Sequence, residues 1–93
     1  MIDKVFKWNK EKNELLKKSD RKISFEQIVV AISNRKLLDI IPSPSHNGQL
    51  CFVVEIENYC YIVPFVEEDE KTLFLKTIYP SRKYTKYYLK ELK

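Results

Sequence analysis

One stretch, LCFVVEIENYCYIVPFV at positions 50–66, constrains the fold of this chain more than any other. Two runs rich in β-branched and aromatic residues, 50–56 and 59–66, flank Glu57-Asn58, which reads as a tight hairpin turn. Turned there, Ile56 pairs with Tyr59 and Glu55 faces Cys60. One face then carries Phe52, Val54, Ile56, Tyr59, Tyr61 and Val63 and belongs to a core. The other mixes Val53 and Ile62 with Glu55 and both cysteines, and reads as only partly covered. In this register Cys51 lies about 13 Å along the ladder from Cys60, beyond disulfide reach. Buried free thiols are the expectation, as in a reducing compartment.

Two more strand-like runs, 37–41 and 72–79, are set off by the loop PSPSHNG and by the acidic turn EEDE, so an antiparallel meander is the economical topology. Upstream, Ser24 and Gln27 form an S-x-x-Q capping box, with Ile23 and Ile28 as a hydrophobic staple. Phe25, Ile28, Val29 and Ile32 recur at helical spacing, and Ser33-Asn34 ends that helix. An earlier helix starts after Asn9 and runs to about Lys18. Leu15 and Leu16 are its only aliphatic residues, so Trp8 and those leucines are expected to dock it. The fold class is α+β in a single domain, 1–93: a small antiparallel sheet of three to four strands, two N-terminal helices and a C-terminal basic amphipathic helix.

That last helix is the most informative segment for function. Pro80 stops the final strand, Ser81 can cap a helix begun after it, and residues 82–92 sort on a helical projection. Arg82, Lys83, Lys86, Lys90 and Lys93 share one arc; Tyr84, Thr85, Tyr88, Leu89 and Leu92 share the other, with Tyr87 at the border. Like charges at i, i+4 and cations at the positive end of a helix dipole cost stability unless an anion is bound. Charge is segregated along the chain as well: net +4 over residues 1–22, −5 over 23–75 and +5 over 76–93, which sum to the overall +4. A fold that brings both ends together would present one positive face to a polyanion.

Other chemistry is poorly supplied. His46 is the single histidine and lies in a Pro/Ser/Gly loop, so a two-histidine ribonuclease is excluded. Glu67, Glu68, Asp69 and Glu70 lack the spacing of a cation-binding loop and read as a solvated turn. There is no Gly-rich phosphate loop and no persuasive nucleophile arrangement, so no metal or cofactor is expected. The start MIDKVFKWNK has no apolar leader and no run approaches membrane-spanning length, which points to a cytoplasmic protein.

The two ends together resemble the BrnT-type toxins. FKWNKEKNELLKK followed by ISFEQIVVAI is similar to that family's aromatic-x-Trp-Asp-x-x-Lys run, short helix and V-S-F-E-E helix. LKTIYPSRKYTKYYLKEL is similar to its closing I-S-A-R-K-A-T segment and charged helix. The resemblance marks Phe6, Trp8, Lys12, Ser24, Phe25 and Glu26 at the front, and Arg82, Lys83 and Thr85 at the back. Asn9 stands where the family has Asp, and Ser19 to Lys22 replace its Lys-His-Gly. The resemblance implies a RelE/ParE-like fold, a metal-independent endoribonuclease that stops translation, and a partner antitoxin of ribbon-helix-helix or acidic-tailed type.

Attack of an RNA 2′-hydroxyl on the adjacent phosphate needs a base, a cation on the phosphorane and a proton for the leaving oxygen. The expected assignment is Arg82 as phosphorane stabiliser and Lys83 or Lys12 as the proton-transfer group. Trp8, Tyr79 and Tyr87 serve as base platforms, and Ser81, Lys86 and Lys90 as backbone contacts. The alternative is a non-catalytic RNA- or DNA-binding module using the same basic helix, and a third reading is a protein-interaction domain.

Overall fold

The computed structural model describes residues 4–89. Its centre is the expected hairpin. Strand β3 (Leu50–Ile56) pairs antiparallel with β4 (Tyr59–Asp69), Ile56 opposite Tyr59 and Glu55 opposite Cys60. Glu57 and Asn58 both take positive φ, 52° and 64°, the geometry of a two-residue turn whose twist matches the strands. Strand β2 (Leu37–Pro42) adds antiparallel to β3, with a bulge between Leu37 and Asp39. On the other side of β4 lies β5 (Thr72–Leu75).

The sheet is nevertheless larger than the three to four antiparallel strands expected, and it is mixed: six strands in the order β1-β5-β4-β3-β2, with a short β6 also on β4. Two local causes account for this. Residues Val5–Trp8 form strand β1, parallel to β5 from Val5 opposite Thr72 to Trp8 opposite Leu75. Phe6 and Trp8, two residues apart, turn the same way and pack on the core, while Val5 and Lys7 face out.

The run 72–79 is also not one strand. Phe65 faces Leu75 but Ile62 faces Tyr79, so three steps along β4 match four on the returning chain, and the extra residue falls between β5 and β6 (Tyr79–Pro80). Such an insertion flips every later side chain to the opposite face.

Helices cover both faces. Helix α2 (Phe25–Ser33) carries the full capping box: Ser24 Oγ accepts the Gln27 N–H, and the Gln27 side chain accepts the Ser24 N–H. Phe25, Ile28, Ala31 and Ile32 bury into the face formed by Phe52, Val54, Tyr61, Val63 and Phe65. Phe52 and Phe65 stack at 4.0 Å between centroids beneath it.

Helix α1 (Lys10–Lys17), capped by Asn9, lies on the same side and is held only in part as expected. Leu15 is 68% exposed, whereas Asn13 is buried. The Asn13 amide oxygen accepts the Phe25 N–H and its amide nitrogen donates to Glu26, both at 2.8 Å. Trp8 stacks on Phe25 at 5.5 Å, and Leu16 packs on the core. Trp8 and Leu16 thus dock the helix as expected, Leu15 does not, and a buried amide that was not anticipated ties the first helix to the start of the second.

Helix α3 (Arg82–Leu89) covers the other face, packing Leu89, Tyr84 and Tyr88 on Cys51, Val53, Cys60 and Ile62. The face expected to be partly covered therefore encloses the cysteines fully, and both are free thiols. No helix among the described residues is long and apolar enough to cross a membrane.

Candidate nucleic-acid interface

The basic helix is fixed at its first turn by hydrogen bonds that the sequence specifies residue by residue. The Ser81 N–H donates to the Cys60 carbonyl at 2.9 Å, and Ser81 Oγ accepts the Tyr84 N–H, the geometry of an N-cap. Thr85 Oγ1 donates to the Ser81 carbonyl and accepts the Cys60 N–H at 2.8 Å. Both Ser81 and Thr85 therefore attach α3 to β4. Ser81, expected to hold a phosphate, already commits its N–H to the sheet and its side-chain oxygen to the cap.

At the far end of the described helix, the Tyr88 hydroxyl donates to the Asp39 carboxylate on β2. Burial, then this bond, push the Tyr88 phenol well above its ordinary value, and the same bond holds Asp39 below the usual carboxylate range. Asp39 also accepts the N–H of Ile40 at 2.8 Å. Sequence reasoning did not single out Asp39. Its signal was a lone acid inside the aliphatic run LLDII.

With one side committed to the sheet, the opposite side of α3 is set. Arg82, Lys83, Lys86 and Tyr87 are exposed, Tyr87 by 67%. Ion pairs among the described residues join Lys4 to Glu67, Lys17 to Glu14 and Lys36 to Glu55, and none of them engages α3. Lys83, Tyr84, Lys86 and Tyr87 line a shallow groove. The Lys83 ammonium sits 5.3 Å from the Tyr84 ring centroid, Tyr84 stacks on Tyr88 at 6.1 Å, and Tyr87 meets Tyr88 edge to face at 4.8 Å. Tyr79, opposite Ile62 on β6, lies on this same face and is 38% exposed; burial raises its phenol. Lys90, expected to extend the basic arc, falls outside the described residues.

The expected site is only partly brought together. Arg82, Lys83, Lys86, Tyr79 and Tyr87 share the α3 side of the sheet, with Ser81 as the cap. Lys12 and Trp8 do not join them. Lys12 is exposed on α1, and Trp8 spends a ring face on Phe25; both belong to the side of the sheet covered by α2. Lys12 and the rest of α1 are therefore kept apart from α3, because the sheet stands between the two helices. Of the two groups that sequence reasoning left open for proton transfer, only Lys83 stands beside Arg82.

His46 bonds its neighbour Ser45 at 3.1 Å within the 43–49 loop. In the acidic run, Asp69 Oδ1 accepts the Lys71 N–H within the turn, and Glu67 pairs with Lys4 just ahead of β1. Comparison with protein-family models, curated proteins and solved structures finds no match for this chain.

Proposed function

We propose that this chain is the toxin of a type II toxin-antitoxin pair, a cytoplasmic, metal-independent endoribonuclease that engages RNA through the outer side of α3. The observation that carries the reading is the exposed series Arg82, Lys83, Lys86 on a helix bolted to the sheet, with none of these cations in an ion pair among the described residues. Unneutralised cations on a rigid element favour a polyanion, since releasing its counterions drives binding. Arg82 offers a planar fork to a phosphate or phosphorane, and Lys83 beside it is the group for proton transfer.

Expression of the chain alone and mapping of RNA ends test this. Growth arrest with new 5′ ends is expected, both lost in Arg82→Ala; intact RNA, or undiminished cleavage in that variant, overturns it. The cognate antitoxin would be an acidic or apolar-segmented protein able to cover this helix, and its co-expression should restore growth.

A second reading has an observation of its own. With Lys12 on the other side of the sheet and His46 in its own loop, the α3 surface presents cations and phenols but no histidine. A non-catalytic RNA-binding module would need nothing more. It would bind RNA with steep salt dependence and leave it uncut.

A further inference from the structure

The groove on α3 is held open by a residue from a different strand. Tyr84 and Tyr87 line it, and both rings rest on Tyr88: Tyr84 in a stack and Tyr87 edge to face, at 88° between planes. Tyr88 is in turn fixed by one polar contact, its hydroxyl on the Asp39 carboxylate of edge strand β2. Asp39 cannot easily turn away, because its second oxygen accepts the Ile40 N–H at the bulge of that strand. A chain of contacts thus runs from a carboxylate on the sheet edge, through one phenol, to two rings with Lys83 and Lys86 beside them. The exposed Tyr87 ring, with Lys83 and Lys86 beside it and half-buried Tyr84 as the groove wall, suits an unpaired base with its flanking phosphates, because every base has a π face while only a single strand can splay one out.

We propose that Asp39 is a positioning residue of this surface: through Tyr88 it holds Tyr87 as the stacking face, with Tyr84 as the wall of the groove, for one unpaired base of an RNA strand whose phosphates lie on Lys83 and Lys86. The inference rests on the nucleic-acid reading of α3, but not on cleavage. Asp39 touches no part of the strand itself. Its effect is on the shape of the platform and on the preference for single over double strands.

The test uses the full chain and a short single-stranded RNA oligonucleotide that carries 2-aminopurine and is 2′-O-methylated throughout, so that no free 2′-hydroxyl can attack and the strand cannot be cut by transphosphorylation. Anisotropy reports binding, and quenching of the fluorescent base reports stacking. A duplex of the same sequence is the comparison. The wild type should bind the single strand with quenching, and Tyr87→Leu should weaken that binding about tenfold, abolish quenching and leave duplex binding unchanged.

Asp39→Ala removes a negative charge and so should not weaken attraction to phosphate, yet quenching should fall as it does in Tyr87→Leu. Asp39→Asn, whose amide oxygen can still accept the Ile40 N–H while its amide nitrogen donates to the phenol oxygen, should restore it. Tyr88→Phe deletes only the bond and keeps the ring, which guards against a variant that fails to fold. Quenching that survives both Asp39→Ala and Tyr88→Phe, or that Asp39→Asn fails to restore, overturns the role of Asp39 and leaves the RNA reading standing. Failure of the wild type to bind either oligonucleotide at low salt overturns both.

Discussion

The Thr85 hydroxyl accepts the Cys60 N–H at 2.8 Å and donates to the Ser81 carbonyl at 2.7 Å, so one side chain fastens the last helix to the second strand of the central hairpin. Thr85→Val keeps the shape and removes the acceptor, leaving a half-buried N–H unpaired. The expected cost is about 1–3 kcal/mol, read as a lower urea midpoint at unchanged slope. Thr85→Ser should recover most of it. A Thr85→Val midpoint equal to wild type would mean that Ser81, Leu89, Tyr84 and Tyr88 hold the helix without it.

Asn13 makes the equivalent attachment on the other side of the sheet. Asn13→Ala strands the buried Phe25 N–H and frees Glu26, so a loss of about 1–3 kcal/mol is expected. Leu15→Ala, at a side chain 68% exposed, should cost little in comparison. Urea unfolding of the two variants side by side checks the ranking, and the reverse order would count against Asn13 as the anchor.

The charged contacts set the pH range of stability. Asn13 is the main cause holding Glu26 below its ordinary 4.5, and Tyr88 the main cause holding Asp39 below its ordinary 3.8. Groups lowered in the folded state contribute stability that is present above those values and lost as pH falls through the lowered ones. Tyr88 is raised from 10.0, so its contribution is present below pH 10 and lost above it as the unfolded phenol ionises first. Thermal melts from pH 2 to 12 should therefore fall at both ends. Tyr88→Phe should reduce the alkaline fall, to which Cys51, Cys60 and Tyr79 also contribute, and a profile unchanged in that variant would remove the Tyr88 phenol as a cause.

Burial raises both thiols, Cys51 and Cys60, and α3 covers them. A thiol-specific disulfide reagent at neutral pH should react with neither in the folded protein and with both in urea. Rapid native labelling of Cys60, whose thiol donates to the Tyr84 carbonyl at 3.5 Å, would show that α3 lifts from the sheet.

Legibility in the sequence tracked the range of the interaction. The capping box at Ser24 and Gln27 and the turn at Glu57-Asn58 depend on residues within a few positions, and both stand where their local chemistry puts them. The face of α3 was legible for the same reason, since a helical projection needs only spacing: Arg82, Lys83 and Lys86 point out and Leu89 points in. The parallel pairing of β1 with β5 was not legible, because it joins Val5 to Thr72 across most of the chain. The alternation in VFKW was a period-2 signal, but it is short and runs directly into the Asn9 cap. The separation of Lys12 from Arg82 lay equally beyond local pattern, since it depends on which side of the sheet each helix takes.

The extra residue between β5 and β6 decides where that last helix goes. In an uninterrupted ladder continuing from Phe65 opposite Leu75, Tyr79 would stand opposite Tyr61, on the side occupied by α2; with the slip it stands opposite Ile62. Ile78 accordingly takes the core-facing place that strict alternation would have given Thr77. Shortening the 76–78 segment by one residue would direct the chain after Pro80 toward a layer already filled. The layering of the molecule, with one helix pair below the sheet and a cationic helix above it, turns on a single step of chain.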